Sequence, residues 1–327
     1  MNQNRLPTVT KISEEIKKGN RILLSRAITL VESKRADHQA TAAELIEDLL
    51  PETGKSIRLG ITGVPGVGKS TFIEALGLHL IALGKKPAVL SIDPSSSLSH
   101  GSILGDKTRM NELSRHQRAF VRPSPSGTSL GGVAKKTRET IYLCEAAGFD
   151  VIIVETVGVG QSETVVKDMV DFFLLLMLSG GGDDLQGIKR GIMEMADGIA
   201  INKADGANKT QSTIAARTYQ KAMHLFPPSL SGWTVPVTTC SAQENEGIAE
   251  LWEQVLKYES KTRANDYFRQ NRTEQNLKWY REGVSAILEQ YWLRDPDLQE
   301  KIHSLEEKIR TDARSVSSAL AEISQSL

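Results

Sequence analysis

Residues 57–70 read I-R-L-G-I-T-G-V-P-G-V-G-K-S, a short apolar run that ends in G-x-x-x-x-G-K-S. Ile57, Leu59 and Ile61 predict a buried strand. It feeds a loop of Gly63, Val64, Pro65, Gly66, Val67 and Gly68, and then a helix opened by Lys69, Ser70 and Thr71. Glycines without Cβ let such a loop curl its N–H groups inward around a phosphate, while the helix presents the positive end of its dipole. In that arrangement Lys69 serves the β- and γ-phosphates, and the Ser70 hydroxyl serves Mg²⁺.

The chain has 327 residues, enough for one large α/β domain with appendages or for two domains. Forty basic residues balance forty acidic ones, so charge gives no reason to expect nucleic acid or a membrane as partner. Cys144 and Cys240 are the two cysteines, far apart and outside any C-x-x-C, which predicts small buried side chains in a reducing compartment. The first residues have no apolar core of signal-peptide length. Phe172–Leu178, the longest apolar run, is too short to span a bilayer, so the expectation is a cytoplasmic protein.

From residue 56 to about 259, apolar runs at 57–62, 87–92, 118–122, 150–155, 172–178, 197–202 and 234–240 alternate with helical stretches. That alternation predicts a mostly parallel sheet flanked by helices, the α/β fold of a P-loop nucleotide-binding domain, over residues 53–260. Residues 1–52 are predicted to be a helical extension, with Thr41 capping its last helix because Glu44 follows three residues later. Residues 261–327 are predicted to be a helical tail. Its stripes, Leu277, Tyr280, Val284, Ile287 and Tyr291 and then Ile302, Leu305 and Ile309, fold back on the domain or pair with a second subunit, and pairing is the expectation.

Ligands of such sheets sit at the carboxyl ends of the strands, so the residues after each strand carry the chemistry. The second strand is followed by Asp93 and a long polar loop containing Asp106, where a switch responsive to the γ-phosphate is expected. The sequence leaves both aspartates open between a place near Mg²⁺ and a turn or helix cap. Glu155 ends the fourth strand and Gly158 follows, which suits a carboxylate near Mg²⁺ and a backbone N–H for the γ-phosphate. Gln161 reads equally as a water-positioning amide and as a solvated one.

Gly180, Gly181 and Gly182 make a hinge-like stretch, and Asp183 and Asp184 beyond it read as a solvated loop tip. Lys189 and Arg190 open the next helix and can swing toward a phosphate. Asn202, Lys203, Ala204 and Asp205 form N-K-x-D. An aspartate there accepts two hydrogen bonds from guanine, at N1–H and the 2-amino group, a donor pair that adenine lacks. Ser241 and Ala242 match the S-A element whose backbone meets guanine O6. The nucleotide expected is therefore GTP or GDP.

With G-V-P-G-V-G-K-S-T, S-I-D-P-S-S-S, G-S-I-L-G-D-K-T-R-M, V-E-T-V-G-V-G-Q-S-E, G-G-G-D-D-L-Q-G-I-K and N-K-A-D in this order, the chain resembles the MeaB/ArgK family of GTPases over nearly its whole length. The resemblance implies a cytoplasmic, homodimeric G protein that chaperones adenosylcobalamin-dependent methylmalonyl-CoA mutase, with GTP hydrolysis gating cofactor loading and helping to protect or reactivate the mutase. It implies Lys69, Ser70, Asp93, Asp106 and Glu155 on phosphates and Mg²⁺, and Asn202, Lys203 and Asp205 on guanine. It also implies residues 178–190, Lys189 among them, as a third switch facing the partner, and a tail that forms the dimer. The chain lacks the D-x-H-x-x-G cobalamin pattern of the mutases. An older description of the family, an ATPase or kinase of a lysine/arginine/ornithine transport system, conflicts with N-K-A-D, and a nickel metallochaperone would need a Cys/His cluster that the six scattered histidines do not form.

Overall fold

The computed structural model describes residues 8–92, 110–123, 130–156, 162–180, 190–292, 294–311 and 313–324. By internal contacts the chain divides into two units, Met1–Arg272 and Thr273–Leu327.

Three helices come first: α1 (Val9–Lys17), α2 (Arg21–Glu32) and α3 (Ala36–Leu49). Asn20 starts α2 by accepting from the N–H groups of Ile22 and Leu23, donors that the helix itself cannot satisfy. Thr41 is not a cap. It lies inside α3, and its hydroxyl bonds back to the Asp37 carbonyl, a local bond that the hydroxyl finds one turn upstream in a helix already begun at Ala36.

A seven-stranded sheet follows, with β1 (Ile57–Gly63), β2 (Pro87–Ile92), β3 (Phe120–Arg122), β4 (Val151–Thr156), β5 (Phe172–Leu178), β6 (Gly198–Asn202) and β7 (Val237–Thr239) in the order β3-β2-β4-β1-β5-β6-β7. Every pairing is parallel. The apolar runs read from the sequence are these strands, and β1, β2, β4 and β6 are buried along their whole length because helices cover both faces. The intervening helices are α4 (Lys69–Ala82), α5 (Asn111–Arg115), α6 (Leu130–Ala146), α7 (Ser162–Lys167), α8 (Arg190–Met195), α9 (Lys209–Met223) and α10 (Ile248–Ala264).

One core layer joins α1, α2, α3, α6 and α7 to one face of the sheet through Leu24, Ile28, Leu45, Leu143, Val154 and Phe173, among others. The opposite layer packs α4, α5 and α10 on Leu59, Ile61, Val89 and Ile153. At the β7 edge Gln220 imitates a neighbouring strand: its Oε1 accepts from the Val237 N–H at 3.1 Å and its Nε2 donates to the Val235 carbonyl. That blunts the row of open backbone groups which a sheet edge otherwise presents.

Charges pin the amino ends of the strands. Arg58 and Glu145 form a buried ion pair at 2.9 Å, and Ser56 Oγ and the Gly54 N–H also donate to Glu145. Asp171 accepts from the Arg58 N–H and from both Nε and Nη2 of Arg272, each at 2.7 Å, and Arg272 donates further to the carbonyls of Gly54 and Ser56. Arg272 belongs to α11 (Tyr267–Trp292), whose residues from Thr273 onward fall in the second unit with α12 (Pro296–Arg310) and α13 (Val316–Ser324). In that unit Asp295 caps α12, and Arg314 pairs with Glu322 at 2.7 Å. Leu277, Tyr280, Ile287 and Tyr291 are exposed along one stripe of α11. Among the described residues no helix is long and apolar enough to cross a membrane.

Candidate functional site

The order of strands puts β1 between β4 and β5, where the chain first winds outward through β2 and β3 and then crosses to the other side. In open parallel sheets the crevice at such a reversal, beyond the carboxyl ends of the strands, is where ligands bind. The G-x-x-x-x-G-K-S loop emerges from β1 at that point.

Two of its glycines are required by their surroundings. A Cβ on Gly63 would stand 2.5 Å from the Leu176 carbonyl oxygen on β5. Gly68, the residue before α4, has φ 93°, and a Cβ there would stand 2.9 Å from Asn202 Nδ2. Gly68 at the cap position brings no side chain to the start of α4, a 14-residue helix whose amino end carries the positive end of its dipole. Lys69 Nζ lies over its own loop, donating to the Gly63 carbonyl at 2.8 Å.

Beside the loop, Ser70 Oγ is 3.5 Å from Glu155 Oε1. Glu155 is 3% exposed at the end of β4, and a hydroxyl with a carboxylate is a hard-oxygen donor set of the kind Mg²⁺ takes. The residues present therefore fit that ion. Among the described residues no group of three or more His, Cys, Asp or Glu side chains gathers into a metal cluster. On the other face of the sheet the hydroxyls of Thr62 and Thr156 share a bond of 2.9 Å, tying β1 to β4 where both strands end.

The N-K-x-D residues leave β6 toward the same crevice. Asn202 is buried, and its Nδ2 donates to the Val67 carbonyl at 2.8 Å while its Oδ1 accepts the Ala242 N–H at 3.2 Å. Lys203 turns the chain with φ 59°, and its stem approaches the phosphate loop, with Cε 3.8 Å from where a Gly68 Cβ would be. Asp205 Oδ2 accepts the Ser241 hydroxyl at 2.6 Å, and that hydroxyl oxygen in turn accepts the Glu244 N–H. A carboxylate oriented in this way keeps further lone pairs for a pair of N–H donors on a base edge. The S-A backbone is already engaged, Ser241 N–H on the Glu246 carbonyl and Ala242 N–H on Asn202, so an acceptor such as guanine O6 would share the Ala242 donor.

The structure thus brings together Gly63, Val64, Pro65, Gly66, Val67, Gly68, Lys69, Ser70, Thr71, Glu155, Asn202, Lys203, Asp205, Ser241 and Ala242 at the carboxyl ends of β1, β4, β6 and β7. Asp93, Asp106, Gly158, Gln161, Asp183, Asp184 and Lys189 lie outside the described residues. The sequence offered no sign of the Ser241 hydroxyl holding Asp205, because the two are 36 residues apart and neither motif specifies the other's side chain.

Residues 24–296 match the family model described as methylmalonyl Co-A mutase-associated GTPase MeaB. The chain belongs to the MeaB family of GTPases. As a member it is a GTP-hydrolysing enzyme that binds guanine nucleotides. It is 50% identical over 302 residues to a putative GTPase of Caulobacter vibrioides, covering 92% of both chains. It is 50% identical over 274 residues to the GTPase ArgK of Escherichia coli, covering 84% of this chain and 83% of that one. It is also 41% identical over 317 residues to the mitochondrial methylmalonic aciduria type A homolog of Mus musculus, covering 94% and 76%. Among solved structures it is similar to one titled LAO/AO transport system kinase, with a TM-score of 0.80, 38% identity, and coverage of 99% of this chain and 98% of that one.

Proposed function

We propose that this GTPase serves an adenosylcobalamin-dependent methylmalonyl-CoA mutase, gating the loading of its cofactor and protecting or reactivating the enzyme. Membership of a family whose model is described as mutase-associated carries this reading, and the relatedness to a methylmalonic aciduria type A homolog supports it. The base-side geometry favours guanine over adenine, since Ser241 orients Asp205 as a double acceptor. That argues against an ATP-dependent kinase.

In this reading the loop Gly63, Val64, Pro65, Gly66, Val67 and Gly68, with the first N–H groups of α4 at Lys69, Ser70 and Thr71, cradles the phosphates, and Lys69 leaves the Gly63 carbonyl to meet them. Ser70 and Glu155, with Asp93 and Asp106 from the segment after β2, would hold Mg²⁺, which when bound would neutralise charge that develops on the phosphates. Gly158 supplies a backbone N–H to the γ-phosphate. Asn202, Lys203, Asp205, Ser241 and Ala242 hold guanine. Lys189 comes to the phosphates when the partner docks. We place the protein in the cytoplasm as a homodimer, joined through the exposed stripe of Leu277, Tyr280, Ile287 and Tyr291, which offers a second copy a continuous apolar face.

The test is a binding titration of the purified chain against the mutase with a non-hydrolysable GTP analogue, with GDP, and without nucleotide. Binding that is tighter with one nucleotide than with the other supports the reading, because a coupling of two sites is reciprocal. A chain that binds guanine nucleotides and never the mutase would refute it.

A further inference from the structure

Ser91 is the penultimate residue of β2, 2% exposed, and its Oγ is enclosed without a hydrogen-bond partner. A hydroxyl in that condition is costly, and alanine would sit at the same place without the cost. The strand register explains where it faces. Ser91 pairs with Glu155 of β4, and Ile61 of β1 pairs with Glu155 from the other side. Paired residues of neighbouring parallel strands share a face with their Cα atoms about 4.8 Å apart. Ser91 therefore lies on the face of Val89, Ile153 and Ile61, the one that packs against α4. It is beside the carboxylate that Ser70 Oγ approaches at 3.5 Å.

We propose that Ser91 is a positioning residue for Glu155: with Mg²⁺ and nucleotide in place, its hydroxyl donates to the Glu155 carboxylate and fixes the orientation in which that group faces the ion. The inference rests on the reading of Ser70 and Glu155 as the metal side of the site. The partners that orient a metal-facing carboxylate set metal affinity while contributing nothing to the rest of the ligand, and losing one costs about 10- to 100-fold in affinity for the metal.

The experiment compares the whole chain with Ser91→Ala by three measurements: thermal unfolding without nucleotide, GDP affinity in EDTA, and Mn²⁺ affinity of the GDP complex by electron paramagnetic resonance. The expected result is an unfolding temperature equal to or above that of the unaltered protein, equal GDP affinity in EDTA, and Mn²⁺ affinity lower by about tenfold or more. Unchanged Mn²⁺ affinity in Ser91→Ala would overturn the role of Ser91 alone. A lower unfolding temperature with a matching loss of GDP affinity in EDTA would also overturn it, showing a packing role. If the unaltered protein with GDP binds no Mn²⁺, the metal reading of Ser70 and Glu155 fails, and the role of Ser91 fails with it.

Discussion

Asn202 donates its Nδ2 hydrogen to the Val67 carbonyl at 2.8 Å, across 135 residues of sequence, and with its Oδ1 accepts the Ala242 N–H. One buried amide thereby joins the phosphate loop, the N-K-x-D turn and the S-A loop. Asn202→Ala leaves a carbonyl and an N–H without partners, at a cost of about 1–3 kcal/mol for each group that stays buried. The expected outcome is a lower unfolding temperature together with weaker binding of GTP and GDP alike, read by calorimetry and a nucleotide titration. Unaltered affinity for both nucleotides would mean that the three loops hold their places without it.

Asp205 should decide the base. A site built around two donors rejects the analogue that lacks them by about 10⁴ or more, so ATP should fail to compete with GDP in a displacement titration. Asp205→Asn exchanges one acceptor for a donor and should shift preference from guanine to xanthine nucleotides. Comparable affinities of the unaltered protein for ATP and GTP would remove Asp205 from this role.

Arg272 makes four bonds at the amino ends of the strands, two of them to Asp171, which is 2% exposed at its side chain. Deleting one member of a buried pair strands the other charge, so Arg272→Ala should cost about 3–5 kcal/mol. Chemical denaturation measures this. A loss under about 1 kcal/mol would show that Asp171 is adequately held by the Arg58 N–H.

Burial pushes the Glu139 carboxyl on α6 up to about 7, against the pull of Lys135 and Lys136. An acid raised in the folded state binds a proton there that the unfolded chain has released, so its contribution is complete below about 4.5, where the unfolded carboxyl titrates, and is lost as pH rises through about 7. Glu139→Gln should therefore be more stable than the unaltered protein above pH 7 and should flatten the dependence of unfolding free energy between those two values. Parallel stability curves for the two proteins over that range would contradict the assignment.

The sheet was legible because strands buried on both faces read as continuous apolar runs, and Phe172–Leu178 is the plainest case. The last strand was harder. The run 234–240 narrows to Val237–Thr239, since Pro236 carries no N–H to continue the ladder. The phosphate loop and N-K-x-D were legible because their chemistry is local. The bonds from Asp205 to Ser241 and from Arg272 to Asp171 were not, because each joins residues that only the fold brings together. At Thr41 the pattern points to a cap that the fold does not form, because Thr-x-x-Glu looks the same inside a helix as at its start.

On the proposed function, GTP turnover by this chain answers to a methylmalonyl-CoA mutase. This is tested most directly by steady-state GTP hydrolysis by the purified protein, alone and with the mutase added, in the unaltered chain and in Lys189→Ala. The expected result is slow hydrolysis alone, acceleration by the mutase of up to about 10³-fold, as when a partner completes a phosphoryl-transfer site, and a Lys189→Ala protein that keeps its nucleotide affinity but loses most of the acceleration. Hydrolysis that is the same with and without the mutase would contradict that coupling.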